Sequence, residues 1–301
     1  MCQNRWLLPE GFHSGHESYT LQEIQTAMET HAVLSGTVLR CDAQENLTVQ
    51  MGSFTGQIPR SECTAPFISG AERSIAALSC VGCSVHFTVT DQIAAPNGDT
   101  VFLLSRRQAQ EQAMAYMLEN WLPGTVVPAQ ITHLASFGAF VDVGCGVISM
   151  IPLPEISVSR IRHPAERFSL RQRIYVRVAG IDPVTKRISL THRELLGTWL
   201  ENAAAFHAGE TVPGIIRTQK EYGTFIELSP NLFGLSDASP QILPEGRSAA
   251  VYIKSIQPER QKIKLQLIRL LDAPAFPTPL HYYITGGRVE NWHYSPLISF
   301  Q

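Results

Sequence analysis

No apolar run in this chain reaches the ~18 residues of a membrane-spanning helix, and no charged, apolar, small-residue leader opens it, so a cytoplasmic protein is the expectation. Cysteine is scarce: the six in 301 residues are scattered, which is not how a secreted disulfide scaffold is spaced. Cys80-Val81-Gly82-Cys83 is the one CxxC, and a zinc site would need a second pair or a Cys/His partner close by. Neither is there, so no metal and no cofactor is expected. A P-loop, a serine nucleophile elbow and HExxH are missing as well, and an enzyme is not expected. Charge of one sign is also lacking, because a formal net charge of -2 over the whole chain speaks against a nucleic-acid partner.

What the chain does have is a repeat. Phe137-Gly138-Ala139-Phe140-Val141-Asp142-Val143 alternates so that Ala139, Val141 and Val143 share a buried face and Phe140 and Asp142 point the other way. A Gly between the two aromatics lets the strand coil sharply and leaves Phe137 beside Phe140. Tyr222-Gly223-Thr224-Phe225-Ile226-Glu227-Leu228 repeats the pattern 85 residues later, and Gly124 and Gly209 each stand 14 residues ahead of the central Gly. Downstream, Ile181-Asp182-Pro183 and Lys186-Arg187-Ile188-Ser189-Leu190 recur as Ile256-Gln257-Pro258 and Gln261-Lys262-Ile263-Lys264-Leu265. An earlier copy opens at Gly36, alternates at Leu47, Val49 and Met51, and has Glu45, Thr48 and Val101 where the middle copy has Phe137, Phe140 and Arg187. A repeat of this kind fixes the domain count, and three barrels of about 70 residues fit a chain of this length.

The Phe-Gly-Ala-Phe-Val strand, the turn with Gly, the strand running into Pro154-Glu155-Ile156-Ser157, and the closing Asp182 and Arg187-Ile188-Ser189-Leu190 resemble the S1 RNA-binding repeat of the bacterial ribosomal protein S1 family, in a short three-repeat form. The resemblance implies a mainly β protein of tandem five-stranded barrels of the oligonucleotide-binding type, whose single-strand RNA face lies on strands two and three. It also implies translation, mRNA and the small ribosomal subunit as setting and partners. On this template the boundaries are an N-terminal extension with a short helix at 1–30, a degenerate barrel at 31–106, a linker helix at 107–123 and the main RNA-binding barrel at 124–194. A second linker helix at 195–207, a third barrel at 208–270 and an aromatic, Pro-rich tail at 271–301 complete it.

Carried over by position, the RNA-binding residues of barrel two are Phe137, Phe140, Pro152, Asp182 and Arg187, and those of barrel three Tyr222, Phe225, Gln257 and Lys262. Pro152 departs from the family, where His is frequent, and Asp237 puts a carboxylate in the corresponding place of barrel three. Arg160, Arg162 and His163 join the set from the stretch between strands three and four of barrel two, where the family has a similar His-Pro-acidic sequence. The charges are unevenly shared: nine Lys/Arg against five Asp/Glu over 124–195, eight against six over 208–270, and four against six over 31–106. A modest basic field therefore coincides with the two copies that carry outward rings. The competing reading has the same rings contact proteins. What separates the two is whether Phe137, Phe140 and Arg187 share one open surface or are covered by the linker helices. The tail, poor in charge, is expected to fold back over barrel three or to dock on a partner.

Overall fold

A slip between the first and second strands recurs in every copy and bends the sheet towards a barrel. In the first copy, β1 (Val33–Cys41) pairs with β2 (Leu47–Met51) as Val38 to Val49 and then Arg40 to Thr48, leaving Leu39 as the extra residue of a bulge. The same slip falls at Thr132 where β6 (Val126–Ala135) pairs with β7 (Gly138–Asp142), and at Arg217 where β11 (Thr211–Lys220) pairs with β12 (Gly223–Ser229). A bulge bends its strand and raises the local twist, which a five-stranded sheet needs to close. The remaining strands are β3 (Phe54–Ile58), β4 (Ser84–Ala94) and β5 (Thr100–Ser105); β8 (Ile148–Pro152), β9 (Arg173–Asp182) and β10 (Arg187–Thr191); and β13 (Leu232–Ser236), β14 (Arg247–Gln257) and β15 (Lys262–Pro274). All three sheets close with the same order, in which the fifth strand runs parallel to the third and antiparallel to the fourth. The tandem five-stranded barrels expected from the repeat are thus the fold of this protein.

The structure is a computed structural model that describes residues 5–12, 18–67, 78, 80–94, 100–274 and 280–295. The excursion from Thr64 to Leu78 lies largely outside the described residues, as do the two ends of the chain. Inward residues give each barrel its own core, built around Val49, Phe87 and Leu104 in the first, Ile131, Val141 and Val176 in the second, and Ile226, Val251 and Leu265 in the third. Cys80 belongs to the first core, and burial pushes its thiol up to about 12, so it stays protonated near neutral pH.

Among the described residues three α-helices flank or join the barrels. Helix α1 (Leu21–Thr30) starts at a capping box of Thr20 and Glu23 and buries Ile24 and Ala27. Helix α2 (Arg106–Asn120) is capped by Ser105, whose hydroxyl accepts from the Gln108 N–H, and packs Ala109, Ala113, Met114 and Met117 against the core of barrel two. The stretch expected to form one linker helix over 195–207 is divided. A 3-10 turn, Arg193–Leu196, stops at Gly197, whose φ of 82° suits only glycine, and Thr198 caps a new short helix α3 (Trp199–Ala203). A β-carbon at Gly197 would also stand 2.5 Å from the Tyr283 ring.

That ring belongs to the tail, which folds back across barrels two and three. Val289 N–H donates to Gly124 O and Val126 N–H to Gly287 O, while Trp199 N–H donates to Tyr294 O and the Tyr294 hydroxyl to Asn231 O at 2.6 Å. Tyr282 is driven into the seam, 2.9 Å from Nε2 of His192. The other ring nitrogen, Nδ1, lies 2.7 Å from Ile156 O, and a carbonyl only accepts, so Nδ1 carries the proton and Nε2 accepts from the Tyr282 hydroxyl. Burial pulls His192 down to about 4, below its ordinary 6.5. The folded state therefore binds fewer protons than the unfolded state between those two values, so this stabilisation is complete above about pH 6.5 and falls as the pH drops toward 4. The loss is on the order of 3 kcal/mol. Thermal unfolding at about pH 7 and about pH 5 is expected to show a smaller acid loss in His192→Gln than in the unsubstituted chain. Asp142, raised by burial, contributes with the opposite sign, so the difference between the two proteins at the same pH values is the quantity that decides.

Candidate nucleic-acid interface

Strand pairing decides which outward residues of barrel two become neighbours. Because Thr132 is bulged, His133 of β6 sits opposite Phe140 of β7, which sits opposite Met150 of β8, which is level with Ser189 of β10. The bulge brings His133 of β6 into one row with the ring of β7. His133 and Phe140 have ring centroids 5.9 Å apart, and Phe137 meets Phe140 edge to face at 5.9 Å. Phe137, at the turn into β7, is 59% exposed. Gly138 permits this approach: a β-carbon there would stand 2.5 Å from Ile151 O. Pro152 lies opposite Gly138, and the N–H of the next residue, Leu153, donates to Phe137 O. Arg187 is exposed two residues before Ser189, on the same side of β10. Phe137, Phe140, Pro152 and Arg187 therefore belong to one open face, with α2 packed elsewhere. His133 and Met150 complete that face and escaped the sequence reading, because the alternation had to slip by one residue to put His133 there.

Four other residues of the set have additional or different surroundings. Asp182 is exposed at the end of β9, but its carboxylate accepts from Val184 N–H, Thr185 N–H and the Thr185 hydroxyl at 2.9, 3.4 and 2.5 Å. Those bonds, the hydroxyl first, hold its pKa below the usual carboxylate range, and they build the β9–β10 turn. His163 caps the 3-10 turn Pro164–Glu166, with Nδ1 accepting from Ala165 N–H. Arg162 is ion-paired with Glu245 of barrel three, and Arg160 is exposed next to Ser159, whose N–H donates to Pro230 O of barrel three. The stretch 157–167 thus lies against the next barrel. Other arginines of the basic field are engaged too: Arg167 with Glu227 at 2.6 Å, Arg173 over the Phe12 ring at 4.4 Å, and Arg177 with Val289 O at 3.0 Å.

Barrel three presents a matching row. Thr218, Phe225, Leu235 and Lys264 are level across β11, β12, β13 and β15, with Lys262 two residues from Lys264 and paired with Gln257. Tyr222, 66% exposed, meets Phe225 edge to face at 6.2 Å. A third ring, Phe233, lies 6.0 Å from Phe225 and is 38% exposed. The Asp237 carboxylate is paired: Lys254 Nζ stands 2.8 Å away, and that bond lowers its pKa. In barrel one the same row reads Arg40, Thr48, Gln57 and Leu103, with Arg40 Nε donating to Thr48 at 3.2 Å and Glu45 paired with Arg60 at 3.0 Å. No ring stands in that row.

Asp142 departs from expectation. It faces away from its barrel's core, as the alternation requires, yet it is buried, because residues 7–12 and the start of α2 lie over it. Its carboxylate accepts from the N–H groups of Glu10, Gly144 and Gly146, and Glu10 forms a two-bond ion pair with Arg106 at 2.8 and 2.7 Å. Glu227, its counterpart in barrel three, is likewise buried and held by arginines. The outward acid two residues beyond the ring is thus the point where each of these barrels is clasped to what precedes it.

Among the described residues no three His, Cys, Asp or Glu side chains gather as a metal site, and no helix is long and apolar enough to cross a membrane. Residues 123–193 match the family model of the S1 RNA binding domain. The small ribosomal subunit protein bS1 of Staphylococcus aureus (strain COL) is 28% identical to this chain, over 57% of this chain and 47% of its own length. The bS1 protein of Rhizobium meliloti (strain 1021) is 27% identical over 62% of this chain and 36% of its own. The chain therefore spans less than half the length of these curated relatives. A solved multidomain protein with nucleic acid binding domains from Streptococcus pneumoniae is 14% identical, with 81% of this chain and 74% of that chain covered and a TM-score of 0.26.

Proposed function

We infer that this chain, a relative of the bacterial S1 proteins with an S1 RNA binding domain at residues 123–193, binds single-stranded RNA, mRNA included, on the ring faces of barrels two and three. The observation that carries this is the row of Phe137, Phe140 and His133 with Arg187 beside it, repeated as Tyr222, Phe225 and Phe233 with Lys262 and Lys264. Ring faces stack on bases of any identity, and neighbouring cations meet the phosphates. Barrel two is the principal binder. Barrel three adds to it, and barrel one, without rings, serves as a structural or protein-contacting copy. The setting is translation in the cytoplasm, with the small ribosomal subunit as partner, and no catalytic step is involved.

Single strands lose affinity with salt as counterions are displaced, with log K falling by about 0.7 per log unit of salt for each phosphate contacted. Titrating an unstructured oligonucleotide at several salt concentrations is expected to give a clear negative slope, with a duplex of the same length binding more weakly. A flat salt dependence or a preference for the duplex would leave the rings as protein-contact surfaces.

A further inference from the structure

The arm between β8 and β9 belongs to barrel two by sequence, but it borders the ring platform of barrel three. Ser159 N–H donates to Pro230 O and Val158 N–H to Asn231 Oδ1, each at 3.0 Å, which fixes the arm on the turn between β12 and β13. From that turn the chain goes directly into β13, where Phe233 stands level with Glu227 and 6.0 Å from Phe225. Farther along the arm, Glu166 and Arg167 close on Arg217 and Glu227 at the bulge of β11 and the end of β12. Strand pairing and the two bonds to the turn place in succession the exposed Tyr222, Phe225 on the same face, the exposed Phe233, the buried Pro230–Asn231 turn, the buried Ser159 and then Arg160. While Arg162 and Arg167 are ion-paired, Arg160 is exposed at the end of this row.

We propose that the RNA site of barrel three is built from two barrels: a single strand whose bases stack on Tyr222, Phe225 and Phe233 continues across the seam, and Arg160 of barrel two contacts its next phosphate. This rests on the RNA-binding reading above and extends it. Stacking holds bases but leaves the phosphates unmatched, so a strand on rings needs a cation within reach of its backbone. At the other side of the row, Lys254 is tied to Asp237, and Lys262 and Lys264 lie on β15. Arg160 supplies the cation at the seam end. Two consequences follow for the same residues. Arg160 acts with the rings of barrel three and not with those of its own barrel, and barrel three binds RNA fully only while the arm is docked.

The test is a pair of double-mutant cycles in the full chain, read by titration of a fluorescent, unstructured uridine-rich oligonucleotide. Arg160 is exposed, so Arg160→Ala removes a cation without disturbing a core. Arg160→Ala is expected to couple with Phe225→Ala by a factor of about three or more and to be additive with Phe140→Ala. It is also expected to make the salt slope shallower by about 0.7 in the Phe140→Ala background and to leave it unchanged in the Phe225→Ala background. Coupling with Phe140 alone, or an unchanged slope in both backgrounds, overturns the two-barrel site. Failure of the unsubstituted chain to bind the oligonucleotide overturns the RNA-binding reading itself.

Discussion

Glu227→Ala is expected to destabilise the junction of barrels two and three by about 3–5 kcal/mol. The reason is what it strands: the Arg167 and Glu227 side chains are each 1% exposed and 2.6 Å apart, and Arg217 Nε reaches the same carboxylate oxygen at 2.7 Å. Burial already pulls Arg167 below the ordinary guanidinium value, so removing the carboxylate leaves a desolvated cation without its counter-charge. Arg217 keeps Glu166 and suffers less. Urea unfolding is expected to shift to lower midpoint and to separate into two transitions, because the barrels no longer unfold as one unit. The double variant Arg167→Met, Glu227→Leu is expected to recover most of the loss, since apolar side chains of similar size replace a buried pair at little cost. A loss below about 1 kcal/mol in Glu227→Ala would show that this cluster does not hold the barrels together.

Replacing Phe137 and Phe140 together by alanine is expected to weaken single-strand binding by one to three orders of magnitude. Stacking is worth roughly 1 to 3 kcal/mol per base by alanine substitution, so each ring alone accounts for roughly 5- to 150-fold. The rings touch edge to face at 5.9 Å, so the two losses are not independent, and the double variant falls short of their product. Phe225→Ala is expected to cost less, because barrel three is the auxiliary binder and the rings of barrel two remain. Titration of the fluorescent oligonucleotide with each variant measures these differences. A double variant that binds like the unsubstituted chain would place the RNA elsewhere.

The repeat made the barrels legible, because a Gly between outward rings and the alternation after it are local features that fix a strand, its face and its turn. Phe137, Phe140, Tyr222 and Phe225 could be read in the same way. What sequence could not show came from two non-local sources. The first is the bulge: one unpaired residue in β6 moves His133 into the ring row, and nothing in a period of two announces it. The second is docking between distant segments. Asp142 reads as an outward polar residue and is buried by Glu10, 132 residues earlier; Arg162 and Arg167 read as a basic field and are ion-paired with barrel three. Charges near a seam are poor guides to phosphate binding for that reason. Phe233 and Lys254 went unread on the other side of the ledger, since each gains its role only through a cross-strand neighbour.

The central claim is that bases lie on the rings of barrels two and three, and photocrosslinking addresses it most directly. A uridine-rich single strand carrying a photoreactive base is irradiated on the intact chain, and the attached peptides are identified by mass spectrometry. The account predicts adducts at Phe137, Phe140 and His133 and at Tyr222, Phe225 and Phe233, with none on the row of Arg40, Thr48, Gln57 and Leu103 in barrel one. Adducts concentrated on that barrel-one row, or on the Glu10, Arg106 and Asp142 seam, would contradict it.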